Sequence, residues 1–322
     1  KEAVYAFMVE LIDYAGLFPP ASLSLPEAFA NYARYRRYPD RWMLARFIVP
    51  AVRLAELTTL AGSAFRGGEP FSFSVLGRGG ADASGSLAAL ESDRQALATF
   101  RDQHGAGVVV DVFEVPLPAA VLEAGDRATI SELLICARES MGAASELMAF
   151  FEVPLGVGWE EKVETVVAAI AEENRRDDRG RAGFKLRAGG VHASAFPSPS
   201  QVAFALAACR DAGVSMKATA GLHHPIRRFD DSIQTRMHGF LNVFGAGILA
   251  HVHRLAPTEI QAIIEDEAPA HFSFTDDEFA WKELSATHDE IARLRQSALI
   301  SYGSCSFDEP REDLRALGIL PG

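Results

Sequence analysis

The stretch GVVVDVFEVPL, residues 107–117, reads as a strand that is apolar on both faces and stops at a proline. A strand with one wet face alternates apolar and polar residues, and this run does not; it predicts a parallel strand covered on both sides. Its ending recurs. FEVPL stands at 113–117 and again at 151–155, and a looser copy, FIVPA, at 47–51. Proline has no N–H to give a ladder, so the three copies read as one corner at which a strand leaves the sheet. That architecture accounts for the Phe, Val and Pro. It leaves Glu114 and Glu152 unexplained.

Seven similar runs surround this one, at 11–18, 42–49, 71–77, 147–153, 182–188, 215–221 and 298–304. Helical patterns fill the gaps, among them LPEAFANYARYRRY after Ser24, TISELLICARESMGAASE (129–146), WEEKVETVVAAIAEENRR and SPSQVAFALAACRDAG, the last ending at a C-capping glycine, Gly213. LGRGGADASGSLAAL (76–90) reads as a mobile loop. Eight β/α units in series predict an α/β chain folded as one (β/α)8 TIM-type barrel over residues 1–322. A doubly wound sheet would carry a Gly-rich turn after the first strand, which YAGLFPPAS is not. The interval of about 229–297 is too long for one unit and predicts a helical insertion between strands seven and eight, over the mouth or at a subunit contact.

Composition narrows the function. A formal charge of -12 argues against nucleic acid, and the basic clusters at 175–181 and 226–231 are interrupted by aspartates and read as solvated helix ends. Cys136, Cys209 and Cys305 form no disulfide or zinc spacing, and the first residues lack a signal peptide's order, so a cytoplasmic, reducing setting is expected. The apolar run 239–252 is too short to span a bilayer; it makes a homo-oligomer an expectation instead.

Charges on buried strands carry the functional signal. The outer face of a barrel strand packs under helices, where a charge is heavily penalised, so charges near strand ends should point into the mouth. The rule selects Asp13, Arg46, Asp111 or Glu114, Glu152, Lys185, Arg187 and Lys217. Lys185 and Arg187 alternate onto one face. Asp111 and Glu114, three apart, both face inward only if a bulge intervenes. A lysine beside other cations has its pKa lowered and becomes a nucleophilic amine, so Lys185, flanked by Arg187 and Lys217, fits Schiff-base chemistry with a carboxylate relaying protons.

In order along the chain, these strands resemble those of class I aldolases of the deoxyribose-phosphate aldolase type. LIDYAGLFPPAS is similar to that family's IDHT-L-x-P strand, VVDVFEVP to its proton-relay strand, and LMAFFEVPLG to its fifth strand. GFKLRAGG stands at its K-T-S-T-G, SMKATAGLHHP at its K-P-A-G-G, and ISYGSCSF at its FGASS turn. The resemblance implies Lys185 as the Schiff-base lysine, Lys217 as the lysine that perturbs it, and Asp111 as the proton relay. It implies an anion held by Gly189, Gly190, Gly221, His223, His224, Gly303, Ser304 and Ser306. Arg187 replaces a small serine of the family, and the histidines replace a glycine turn, so a different small anionic carbonyl substrate is expected, bearing phosphate or carboxylate. No cofactor and no metal is expected. Two other readings stay open: a metal-assisted lyase or isomerase with Glu114, Glu152 and His223 or His224 as ligands, and a non-catalytic barrel that binds an anion.

Overall fold

A computed structural model describes residues 1–139, 147–176 and 182–321. Eight parallel strands close into a barrel: β1 (Ile12–Tyr14), β2 (Leu44–Pro50), β3 (Phe71–Leu76), β4 (Val108–Pro116), β5 (Met148–Glu152), β6 (Ala182–Arg187), β7 (Ser215–Thr219) and β8 (Leu299–Ser304). Each pairs with its sequence neighbours, and β8 closes the ring on β1. The fold is the α/β TIM-type barrel that the alternation of patterns predicts. Pro50 and Pro116 are the last residues of β2 and β4, and Glu152 is the last of β5. The repeated corner is therefore a strand ending at the C-terminal rim.

Local chemistry explains the helix boundaries. Ser24 and Ser198 cap helices Leu25–Tyr35 and Pro199–Ala212 in full capping boxes with Glu27 and Gln201. Gly213 ends the second helix in the left-handed region, at φ 66°. The Gly/Ser-rich tract at 76–90 is only half loop. From Ala83 it is helix, because the Asp82 side chain accepts the Gly85 N–H at 2.8 Å and starts a helix running to His104. The helix expected over 129–146 is seen at Arg127–Glu139, and its remainder lies outside the described residues, as does 177–181 of the basic cluster at 175–181.

The long interval before β8 corrects the expectation of a purely helical insertion. It holds helices Phe240–His253, Pro257–Glu265 and His288–Ser297, but also a ribbon pairing Arg228–Asp230 with Thr235–Met237 and a three-stranded antiparallel sheet over Phe272–Phe274, Glu278–Trp281 and Leu284–Thr287. The basic cluster at 226–231 thus lies in a strand ribbon, not at a helix end. The three-stranded sheet packs through Phe274 and Phe279 on Phe7 of the N-terminal helix, at the bottom of the barrel, away from the mouth. Helix Phe240–His253 is buried along residues 240–250 and stacks Phe240 on Tyr302 of β8. Its apolar face is consumed within the chain, so it offers no surface for self-association. No helix among the described residues is long and apolar enough to cross a membrane.

Between strands and helices lies an aromatic shell in which Phe29, Phe47, Phe65, Phe71, Phe73 and Phe100 meet largely edge to face. Inside the barrel the picture inverts. Charged side chains meet there, beside apolar ones such as Ile48 and Phe150.

Candidate active site

Register places the key side chains. Glu152 pairs with Lys185 across β5 and β6, and Lys185 with Lys217 across β6 and β7, so three ionisable residues share one level of the barrel. Glu114 reaches the same level from β4. Lys185 Nζ lies 2.7 Å from Glu152 Oε2 and 2.8 Å from Glu114 Oε2. The other oxygen of Glu114 is 3.4 Å from Lys217 Nζ and accepts the Ser74 hydroxyl at 2.6 Å. Lys217, fully buried, donates to Asp13, which also accepts the Ser301 hydroxyl at 2.6 Å. On the solvent side, Arg187 Nε donates to Glu152 Oε1 at 2.7 Å.

The chain of charges continues below. Asp13 Oδ1 accepts the Arg46 backbone N–H at 3.0 Å, and the Arg46 guanidinium grips both oxygens of Asp111 at 2.6 Å. From rim to floor the order is Arg187, Glu152, Lys185, Glu114, Lys217, Asp13, Arg46, Asp111: four cations alternating with four carboxylates. Alternation is what makes such burial tolerable, because each charge loses its water but gains opposite charge on both sides.

A register shift builds the lower part. Between β3 and β4, Phe73 pairs with Val110 but Ser74 with Val112, leaving Asp111 as the extra residue of a bulge. This settles the spacing problem: both Asp111 and Glu114 join the interior chain. It also corrects the expectation that all seven charges gather at the mouth. Arg46 and Asp111 lie toward the N-terminal end, where Arg46 lines a cavity of about 800 Å3 with Glu2, Glu10, Arg295 and Ile300. Asp111 contacts neither lysine among the described residues, and Glu114 and Glu152 take that place.

The electrostatics of Lys185 also reverse an expectation. Its nearest neighbours are carboxylates, not cations. Burial alone would lower its pKa, but Glu114 and Glu152 outweigh that and raise it above the usual lysine value. Burial likewise pushes Glu114 up, and the two lysines, with the Ser74 hydroxyl, overcome this and hold its carboxyl at about 2. Glu152 is lowered for the same reason, with burial opposed by Lys185 and Arg187. Lys185 rests as an ammonium between two carboxylates.

The rim residues have other employments. Gly189 and Gly221 meet back to back: a Cβ on Gly189 would fall 2.8 Å from Gly221 Cα, and Gly221 has φ +72°. Gly190 approaches Ala195, and Gly303 lies within β8 opposite Asp13. Ser304 donates to the Ser306 carbonyl at 2.6 Å, closing that turn on itself. His223 lies 3.5 Å from Glu309 and 3.7 Å from Cys305 Sγ, and His224 lies 2.6 Å from Asp313. Burial lowers the pKa of His223, but the Cys305 and Glu309 contacts raise it to about 9. These histidines are therefore not gathered with Glu114 and Glu152, and the described residues contain no cluster of three or more His, Cys, Asp or Glu arranged to hold a metal ion. Ser74 and Ser301 are the buried polar partners that sequence reasoning missed. Both are hydroxyls within apolar strands, a signal of the same kind as the charges.

No protein-family model matches the chain, and no curated protein does.

Proposed function

We propose that the upper half of this charge chain is the active site of a carbon–carbon lyase of the aldolase kind, acting on a small anionic carbonyl compound through a Schiff base on Lys185. The observation that carries the reading is the placement of the Lys185 amine 2.7 Å from Glu152, the carboxylate nearest the mouth. An ammonium is not a nucleophile, so a proton has to leave first. In a buried ion pair, proton transfer from Lys185 to Glu152 neutralises both groups and relieves the desolvation that both charges suffer. The freed amine adds to the substrate carbonyl, water departs, and the iminium that remains draws electrons from the adjacent carbon–carbon bond. Glu152 then moves protons to and from the substrate. Glu114, fixed by Ser74 and both lysines, positions Lys185, and Asp13 with Ser301 keeps Lys217 in place as a fixed charge. Arg187 receives the substrate's anionic group.

A second reading uses the same residues without a covalent step. The raised pKa of Lys185 favours it: the ammonium would polarise a carbonyl while Glu152 removes an α-proton, giving an isomerase. Sodium borohydride separates the two. Incubation with a panel of aldehydes and oxo acids, followed by reduction and intact-mass measurement, should give a single adduct in the native chain and none in Lys185→Met. Solvent deuterium entering a substrate with no trappable adduct would replace the first reading by the second.

A further inference from the structure

A narrower statement about the substrate follows from how Arg187 and Lys185 are joined, and it rests on the Schiff-base reading. The two residues share one face of β6, and one carboxylate bridges them: Glu152 Oε1 takes Arg187 Nε at 2.7 Å while Oε2 takes Lys185 Nζ at 2.7 Å. The two oxygens of a carboxylate flank one carbon. Guanidinium and amine therefore lie on the two sides of one carboxylate, within reach of a single small substrate. A 2-oxo acid fits that short span, since its carboxylate and its carbonyl carbon are directly bonded. A phosphorylated hydroxyaldehyde does not, because several more bonds separate its phosphate oxygens from its carbonyl.

The available donors point the same way. Arg187 is 49 % exposed along its side chain, and its two terminal amino groups make no hydrogen bond or ion pair among the described residues, which leaves a fork matched to a planar carboxylate. On the side of the rim where the resemblance to aldolases would place a phosphate, the histidines and the serine turn are already engaged. His223 faces Glu309, His224 faces Asp313, and the Ser304 turn is closed on Ser306.

We propose that the substrate is a 2-oxo acid, its carboxylate held by the amino groups of Arg187 and its carbonyl carbon presented to Lys185 Nζ. The step balances. Lys185 passes one proton to Glu152, its nitrogen bonds to the carbonyl carbon, and the carbonyl oxygen leaves as water, carrying that proton and one from the nitrogen. A protonated imine remains, and no oxidant or reductant is needed.

Two measurements test this. In borohydride trapping, pyruvate should form the Lys185 adduct at lower concentration than glyceraldehyde 3-phosphate. Arg187→Gln should reduce the preference for pyruvate over acetaldehyde by about tenfold or more, the loss of a charge-assisted pair. Calorimetry with oxamate, an unreactive 2-oxo acid analogue, reads the anion site without chemistry: binding should be measurable in the native chain and at least about tenfold weaker in Arg187→Gln. Stronger trapping by the phosphorylated aldehyde, an unchanged preference in the variant, or binding of inorganic phosphate but not oxamate would overturn the assignment. If no carbonyl compound forms an adduct yet oxamate binding still depends on Arg187, the Schiff base fails while the 2-oxo acid site stands.

Discussion

Lys217 donates to Asp13 with both side chains at 0 % exposure, the most deeply buried ion pair in the barrel. Neither member belongs to the rim, and neither has water to fall back on. Removing one leaves the other as an uncompensated buried charge, which typically costs about 3–5 kcal/mol. Asp13→Ala should lose stability on that scale in denaturant unfolding, because Asp13 also serves Ser301 and the Arg46 backbone. Glu152→Ala, at the more open end, should lose less. The reverse order would mean that the lower part of the chain is not structural.

The low pKa of Glu114 fixes a pH window. Its folded value of about 2 lies below the 4.5 of a free glutamate, so its ion pairs contribute in full above pH 4.5 and are lost as pH falls toward 2. The stability gap between the native chain and Glu114→Gln should stay level from neutrality down to about pH 4.5 and close below it. A gap already closing between about pH 6 and 5 would contradict the ion-pair assignment.

His223 gives the opposite sign. Its folded value of about 9 exceeds the 6.5 of a free histidine, so its contacts with Cys305 and Glu309 stabilise fully below pH 6.5 and fade as pH rises through about 9. Glu309→Gln should therefore be less stable than the native chain at about pH 6 and equal to it above about pH 9.5. An equal gap at both ends would show that the pair does not titrate.

Asp111→Asn tests the division of the chain into two halves. Arg46 would lose a bidentate partner, at a cost of about 1–3 kcal/mol, while adduct formation at Lys185 should keep its rate. Slower adduct formation at unchanged stability would return Asp111 to the proton-relay role that the sequence suggested.

Gly221→Ala probes the rim. A left-handed φ and contact with the Gly189 backbone leave no room for a methyl group, and a loss of at least about 1–3 kcal/mol is expected. A neutral substitution would show that the loops after β6 and β7 can separate.

The barrel was legible because parallel strands covered on both faces stay apolar throughout, and each of the eight segments read from the sequence overlaps an observed strand. The charges breaking that pattern led to the interior, since a charge in an apolar strand has to find an opposite one. Facing was not legible. Whether Asp111 joins Glu114 inside the barrel depends on a bulge at Asp111, opposite Phe73 and Ser74, which no local residue pattern announces. The neighbours of Lys185 were misjudged for a related reason. Spacing along β6 brings Arg187 close, but the register with β4 and β5 inserts Glu114 and Glu152. The sheet of residues 272–287 was missed because its strands are three or four residues long, too short to show a period.

In the proposed mechanism Lys185, not the more deeply buried Lys217, is the nucleophile. Peptide mapping by tandem mass spectrometry of the chain reduced with borohydride in the presence of pyruvate tests it directly. The reduced adduct should appear on the peptide carrying Lys185, with Lys217 unmodified. An adduct on Lys217, or modification spread over surface lysines with Lys185 untouched, would contradict it.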